Sequence, residues 1–142
     1  MKFEDLITNN GFHISFEQIS EPRIKGMRLR IILNKSENSS DLLICPHPDS
    51  NVTTLQIDFP NYVTYSVTYD DYTIFNDSEL YQGDSFRIYQ QSAYLDSIQK
   101  ETAFIKMNPT KKIIHYSLAC FDHRVDIISC EDPIITEIDL RK

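Results

Sequence analysis

Residues 62–69 read YVTYSVTY, and the period-two pattern of this stretch decides the fold class. Valine and tyrosine occupy positions 63, 65, 67 and 69, whereas the positions after 62 that lie between them hold threonine and serine. Because the side chains of a β-strand alternate between two faces, this pattern predicts a strand with one buried face. Tyr65 and Tyr69 share a face with Val63 and Val67, so we expect both tyrosines to be buried.

The same alternation recurs along the chain. It predicts further strands near residues 12–16, 27–33, 55–59, 86–90, 113–121, 124–130 and 134–140. The composition agrees, since the chain has nineteen isoleucines and only three alanines. Eight or nine short strands at spacings of about ten residues are typical of an antiparallel β-sandwich or an open barrel. We therefore predict a single, mainly β domain that spans residues 1–142.

One or two short helices are expected beside these strands. Phe3, Leu6 and Ile7 share one side of the first helix, which Asn10 and Gly11 can end because both residues tolerate the left-handed conformation of a helix C-cap. Ser92 is expected to cap the second helix, which is about three turns long. Residues 34–41 read NKSENSSD, without a single apolar residue, and predict a flexible polar turn.

The charge of the chain excludes several classes of partner. Twenty-one acids and fourteen bases give a net charge of −7, and residues 36–100 alone hold ten acids and only two bases. A surface of this sign repels nucleic-acid phosphates and anionic membranes, so we expect neither as a partner. Glu4 and Asp5 interrupt the region where a secretory signal would be apolar, which predicts a cytoplasmic protein with reduced cysteines.

A series of single residues and short sequence motifs occurs in a distinctive order over about half of the chain. They are Tyr65, Tyr72, Glu79, Gly83, FRIY at 86–89, Ser92, Leu95, His115-Tyr116 and DIIS at 126–129. This order resembles a group of small, uncharacterised cytosolic proteins of Firmicutes. The resemblance implies a bacterial, β-rich domain and carries no known activity.

The last predicted hairpin gathers residue types that are used in catalysis. A turn at Asp122-His123 would place His115 opposite Cys130, and Asp126 on the same face of the sheet. A cysteine nucleophile, a histidine base and an orienting carboxylate need only lie within hydrogen-bond distance of one another. His115, Asp126 and Cys130 are therefore candidate catalytic residues, while a plain solvated sheet face is the alternative.

Two arrangements resemble metal sites, but neither has the required spacing. Cys45-x-His47 and Cys120-x-x-His123 contain the ligand types of a structural zinc site without its usual pattern. The five acids between residues 70 and 84 lack the glycine and the late glutamate of a calcium loop. No glycine-rich phosphate loop occurs either. We therefore expect neither a metal nor another cofactor.

The middle of the chain combines acidic residues with tyrosines. Tyrosine offers a large contact area with a polar tip, and carboxylates attract a basic protein. These properties predict a docking surface formed by Tyr62, Asp70, Asp71, Tyr72, Asp77, Glu79 and Tyr81. The leading hypothesis is a non-enzymatic bacterial protein-binding domain, such as an immunity-type protein that neutralises a basic toxin.

Two alternatives come from other functional classes. The first is a small-molecule binder or hydrolase that uses the face of His115, Asp126 and Cys130. The second is a homodimer formed through an exposed strand edge, since such an edge presents unpaired backbone groups.

Overall fold

The computed structural model describes residues 2–8, 11–24, 28–43, 52–69 and 79–138. Nine strands lie in these ranges, and they are β1 (His13–Ser20), β2 (Leu29–Ser36), β3 (Thr53–Phe59), β4 (Tyr62–Tyr69), β5 (Leu80–Gly83), β6 (Phe86–Gln91), β7 (Ile114–Ala119), β8 (His123–Ser129) and β9 (Ile134–Ile138). Four short helices accompany them, and they are α1 (Phe3–Thr8), α2 (Ser39–Leu43), α3 (Ala93–Glu101) and α4 (Phe104–Met107).

The strands form two antiparallel sheets. The four-stranded sheet has the order β1-β2-β3-β9, and the five-stranded sheet has the order β4-β8-β7-β6-β5. Neither sheet closes on itself within the described ranges, so the architecture is a sandwich and not a barrel. The predicted mainly β, sandwich-like class is confirmed. No helix in the described part of the chain is long and apolar enough to cross a membrane.

The hydrophobic core lies between the two sheets. The four-stranded sheet contributes aliphatic side chains such as Ile31 and Ile57, and the five-stranded sheet contributes Leu118 and Ile127. Helix α1 adds Phe3, whose ring stands edge-on to those of Phe86 and Tyr116. Burial of these side chains supplies the main favourable free energy of the fold.

Two local features follow the sequence prediction. Gly11 has a φ of 96°, in the left-handed region that favours glycine, three positions after Thr8, the last residue of α1. Ser92 is the N-cap of α3, with its hydroxyl accepting a hydrogen bond from the Leu95 amide at 3.1 Å. Gly83, with a φ of 99°, was not predicted to matter, yet a Cβ there would lie only 1.9 Å from the Phe86 carbonyl oxygen.

The prediction of a flexible turn over residues 34–41 is wrong. Strand β2 continues to Ser36, and α2 begins at Ser39. The buried Asn34 donates to Glu17 at 2.6 Å and accepts from Thr54 at 2.8 Å. Polar side chains therefore continue the strand because β1 and β3 supply hydrogen-bond partners on both sides.

Candidate functional site

Helix α3 is attached to the five-stranded sheet through its N-terminus. The Ser92 hydroxyl accepts from the Leu95 amide, and the Glu79 carboxylate accepts from the Ala93 amide at 3.0 Å. These contacts satisfy two of the amides that the first turn of a helix leaves unpaired. None of the residues of α3 is fully buried, so polar contacts and not a core face hold this end of the helix.

His115 connects this helix cap to the sheet. Its Nδ1 lies 2.7 Å from the Ser92 hydroxyl oxygen, and its Nε2 lies 2.8 Å from Oδ1 of Asp126. The ring stacks on Tyr89 with 4.5 Å between ring centroids, and the Tyr94 ring of α3 stands edge-on to it. With relative exposures of 2% and 1%, Ser92 and His115 are both withdrawn from solvent.

Asp126 is the charged group of this network. Burial alone would raise the pKa of its carboxyl, but the hydrogen bond from His115 and the positive charge of Arg124 hold that pKa below its ordinary value. The Arg124 Nε lies 3.3 Å from Oδ2 of Asp126. Because the carboxylate is therefore ionised near neutral pH, it accepts a hydrogen bond from Nε2 of His115.

Serine, histidine and aspartate in hydrogen-bonded order are the residue types of a hydrolase triad. In this protein the Ser92 oxygen is already engaged by the Leu95 amide and by His115. A nucleophile must reach its substrate, and the hydroxyl of Ser92 is buried beneath the helix that it caps. The contacts of Ser92 with His115 and with the Leu95 amide hold the start of α3 on the sheet.

The structure brings together two of the three candidate catalytic residues. His115 and Asp126 are hydrogen-bonded, as described, but the predicted pairing of His115 with Cys130 is wrong. Ile128 lies opposite His115, because Ala119 pairs with Arg124 and the turn comes earlier than predicted. Cys130 follows the end of β8, where its thiol donates to the carbonyl of Asn61 at 3.6 Å.

The network contains a residue whose role the sequence did not reveal. Ser92 was predicted only as a helix cap, and its contact with His115 spans 23 positions. No local spacing signals such a contact. It depends on the order of strands in the sheet, which brings the end of β6 next to the start of β7.

The predicted docking residues do not form one surface in the described part of the chain. Four of them, Asp70, Asp71, Tyr72 and Asp77, lie outside the described residues. Tyr62 is on β4, at one edge of the five-stranded sheet, where its ring contacts Tyr65 and its hydroxyl donates to Glu21. Tyr81 is on β5 at the opposite edge, preceded by Glu79, which caps α3.

A group of five rings and one valine lies where the two sheets meet, and its apolar members Val67, Tyr69 and Phe121 are exposed. We call it the aromatic corner, and its members are His13, Phe16, Val67, Tyr69, Phe121 and His123. The ring of His123 lies between Tyr69 and Phe16, with centroid distances of 4.7 and 4.8 Å. His13 stacks on Phe121, whose amide donates to the carbonyl of Ile14 on the opposite sheet.

The aromatic corner corrects one sequence prediction. Tyr69 was expected to be buried but is 61% exposed, and Val67 and Phe121 are 39% and 38% exposed. Tyr69 is the last residue of an edge strand, where it pairs with His123 at the start of β8. Tyr65, four residues earlier, packs against the core but is only partly buried. The last residues of β4, from Val67 to Tyr69, therefore extend beyond the core.

The cysteines and histidines considered as zinc ligands do not all fall in the described ranges. Cys45 and His47 lie outside them. Cys120 is buried in the core, where desolvation raises the pKa of its thiol to about 12 and keeps it neutral. Among the residues that the structure describes, no group of three or more histidines, cysteines and acids is arranged to hold a metal ion.

Comparison with known proteins adds no family to this description. No protein-family model, no curated protein sequence and no solved structure matches the chain.

Proposed function

We propose that this chain is a non-enzymatic protein-binding domain of the bacterial cytoplasm. Its partner is a basic protein, and its binding surface is an acidic, tyrosine-containing region centred on the aromatic corner. An immunity-type protein that neutralises a basic toxin is one such case. The observation that carries the proposal is the exposure of Tyr69 and Phe121, each in ring contact with a histidine, and of Val67, two residues before Tyr69 on β4.

Exposed apolar rings in one group favour an interface. Large apolar side chains that cluster on a surface mark interaction sites more often than single exposed ones do. Tyrosine and phenylalanine are also enriched in protein interfaces, because they offer contact area at a low entropic cost. The ring of Tyr69 is already held by His123, so little further ordering is needed when a partner binds.

The charges around the aromatic corner favour a basic partner. The exposed carboxylate of Asp122 lies 2.9 Å from Nδ1 of His123. Asp70 and Asp71 follow Tyr69 directly in the sequence. A lysine or arginine from a partner can therefore contact both a carboxylate and the face of an aromatic ring. The net charge of −7 adds long-range attraction.

The hydrolase alternative has less support. Of its proposed residues, His115 and Asp126 are joined in the buried network under α3, and Cys130 lies elsewhere. A substrate would have to displace the helix cap to reach the histidine.

The experiment uses the purified chain as bait in a bacterial lysate, followed by identification of the retained proteins and titration of the purified partner. We expect a basic partner whose affinity falls about tenfold or more for Tyr69→Ser and for Asp122→Lys, as for residues central to an interface. Raising the salt concentration should also weaken binding of the unchanged protein, because salt screens the attraction between the two charged surfaces.

Ile134→Ser is the matched control for Tyr69→Ser. Ile134 is a similarly exposed apolar residue, but it lies on β9, at the edge of the other sheet. The control should bind as the unchanged protein does. Equal affinity of the partner for Tyr69→Ser, Asp122→Lys and Ile134→Ser would refute the proposed surface.

A further inference from the structure

Two arginines meet on the outer face of the five-stranded sheet, at the hydroxyl of Tyr89. The Arg124 Nη2 donates to this oxygen at 2.7 Å, and the Arg87 Nη1 lies 3.4 Å from it. Arg87 and Tyr89 are two positions apart on β6, while Arg124 reaches them from β8 across the intervening β7. Two guanidinium groups therefore share one phenolic oxygen.

The local charge is unusual for this protein. Arg87 is one of only two bases among residues 36–100, where ten acids occur. Within the described ranges, Asp126 is the only carboxylate in ion-pair contact with either arginine, and it contacts Arg124. The same carboxylate also accepts a hydrogen bond from His115. One negative charge thus faces two positive charges. The two guanidinium groups contact the same oxygen atom, and like charges so close together repel each other.

The donors are held in place without a ligand. The Arg87 guanidinium lies over the ring of Tyr81 at 4.5 Å, and its Nε donates to the carbonyl of Asp84 at 2.6 Å. The ring of Tyr89 is fixed by stacking on His115. A site whose donors are already positioned loses little conformational entropy on binding.

We propose that Arg87, Arg124 and the Tyr89 hydroxyl form a binding site for an oxyanion, either a carboxylate or a phosphate group. The oxygen of Tyr89 accepts from the arginines, which leaves its hydrogen to donate to the anion. Each guanidinium has five N–H donors in a planar fork that matches such oxygen atoms. The anion supplies the negative charge that this pair of arginines lacks.

The test titrates the full chain with sodium phosphate or sodium acetate at constant ionic strength, with sodium chloride as the reference. Backbone amide shifts are followed by NMR. Saturable shifts should appear at residues 87–89 and 124, and Arg87→Gln should weaken binding about tenfold, since it removes a charge-assisted contact. Tyr89→Phe should weaken it as well, and the anion that binds more tightly identifies the group.

Lys111→Gln is the matched control, because it removes one exposed positive charge outside the proposed site. This variant should bind the anion as the unchanged protein does. Equal weakening in Arg87→Gln and Lys111→Gln, or an absence of saturable shifts with both anions, would overturn the proposal. Capture of the basic partner should be unaffected by Arg87→Gln, so the two proposals can fail separately.

Discussion

The two faces of the five-stranded sheet are both buried in its centre, yet they are stabilised differently. On the core face, Leu118 and Ile127 pack against the other sheet. On the outer face of the same strands, His115 contacts the start of α3 and Asp126 lies beside Arg124, and the buried Ser117 lies on the same face. The core face depends on side chains of the right volume, whereas the outer face depends on directional hydrogen bonds such as those of His115.

This difference separates two ways of attaching a layer to a sheet. The four-stranded sheet is held by the burial of apolar area, which has no directional requirement. The start of α3 is held by the contacts of Ser92, Glu79 and His115, each of which depends on position and orientation. Substitutions on the two faces should therefore differ in size and in pH dependence.

The largest effect is expected on the core face. Leu118→Ala removes a fully buried side chain and leaves a cavity, which should lower the free energy of unfolding by about 3 kcal/mol. Urea denaturation at pH 7 measures this change. Leu43→Ala is the control, since Leu43 is 76% exposed and its truncation should change stability by about 0.5 kcal/mol or less. Similar losses in the two variants would contradict the assignment of Leu118 to the core.

A smaller loss is expected on the outer face. Asp126→Asn keeps the size of the side chain but removes the negative charge beside Arg124, and the NH2 group of the new amide cannot accept a hydrogen bond from His115. We expect a loss of about 2 kcal/mol at pH 7, the scale of hydrogen bonds to a charged group. Asp96→Asn, at an exposed position on α3, should cost about 0.5 kcal/mol or less.

The same carboxylate predicts a pH dependence. Because the pKa of Asp126 is lowered in the folded state, its contribution is fully present above the unfolded value, about 4, and is lost as the pH falls through the lower folded value. The free energy of unfolding should therefore fall more steeply below about pH 4 for the unchanged protein than for Asp126→Asn. Parallel pH profiles would show that this ion pair does not stabilise the fold.

The alternation of apolar and polar residues along the sequence predicts which side chains share a face of the sheet. The prediction that His115 and Asp126 share one face of the sheet is confirmed, although the predicted hairpin register is wrong. A register error of two positions exchanges cross-strand partners but leaves every side chain on its own face. Periodicity therefore predicts faces more reliably than it predicts contacts.

The rest depends on information that alternation does not contain. The contact of Ser92 with His115 requires the β6–β7 pairing, and the exposure of Tyr69 results from its place at the end of an edge strand. Strand order and edges are properties of the assembled sheet. The polar residues 34–36 were assigned to a turn because their partners, Glu17 and Thr54, lie on other strands.

The smallest effect should come from the junction between the outer face and α3. Ser92→Ala removes the acceptor for the Leu95 amide and the partner of Nδ1 of His115, and should cost about 1 kcal/mol in urea denaturation. Ser97→Ala makes the same substitution inside α3 and should be close to neutral, since alanine favours a helix interior. Hydrogen exchange of the α3 amides should accelerate in Ser92→Ala more than that of the core strands, because the loss releases the helix before it affects the sandwich. If α3 and the core strands lost protection equally, the helix would belong to the same cooperative unit as the core, and the proposed distinction between the two faces would not hold.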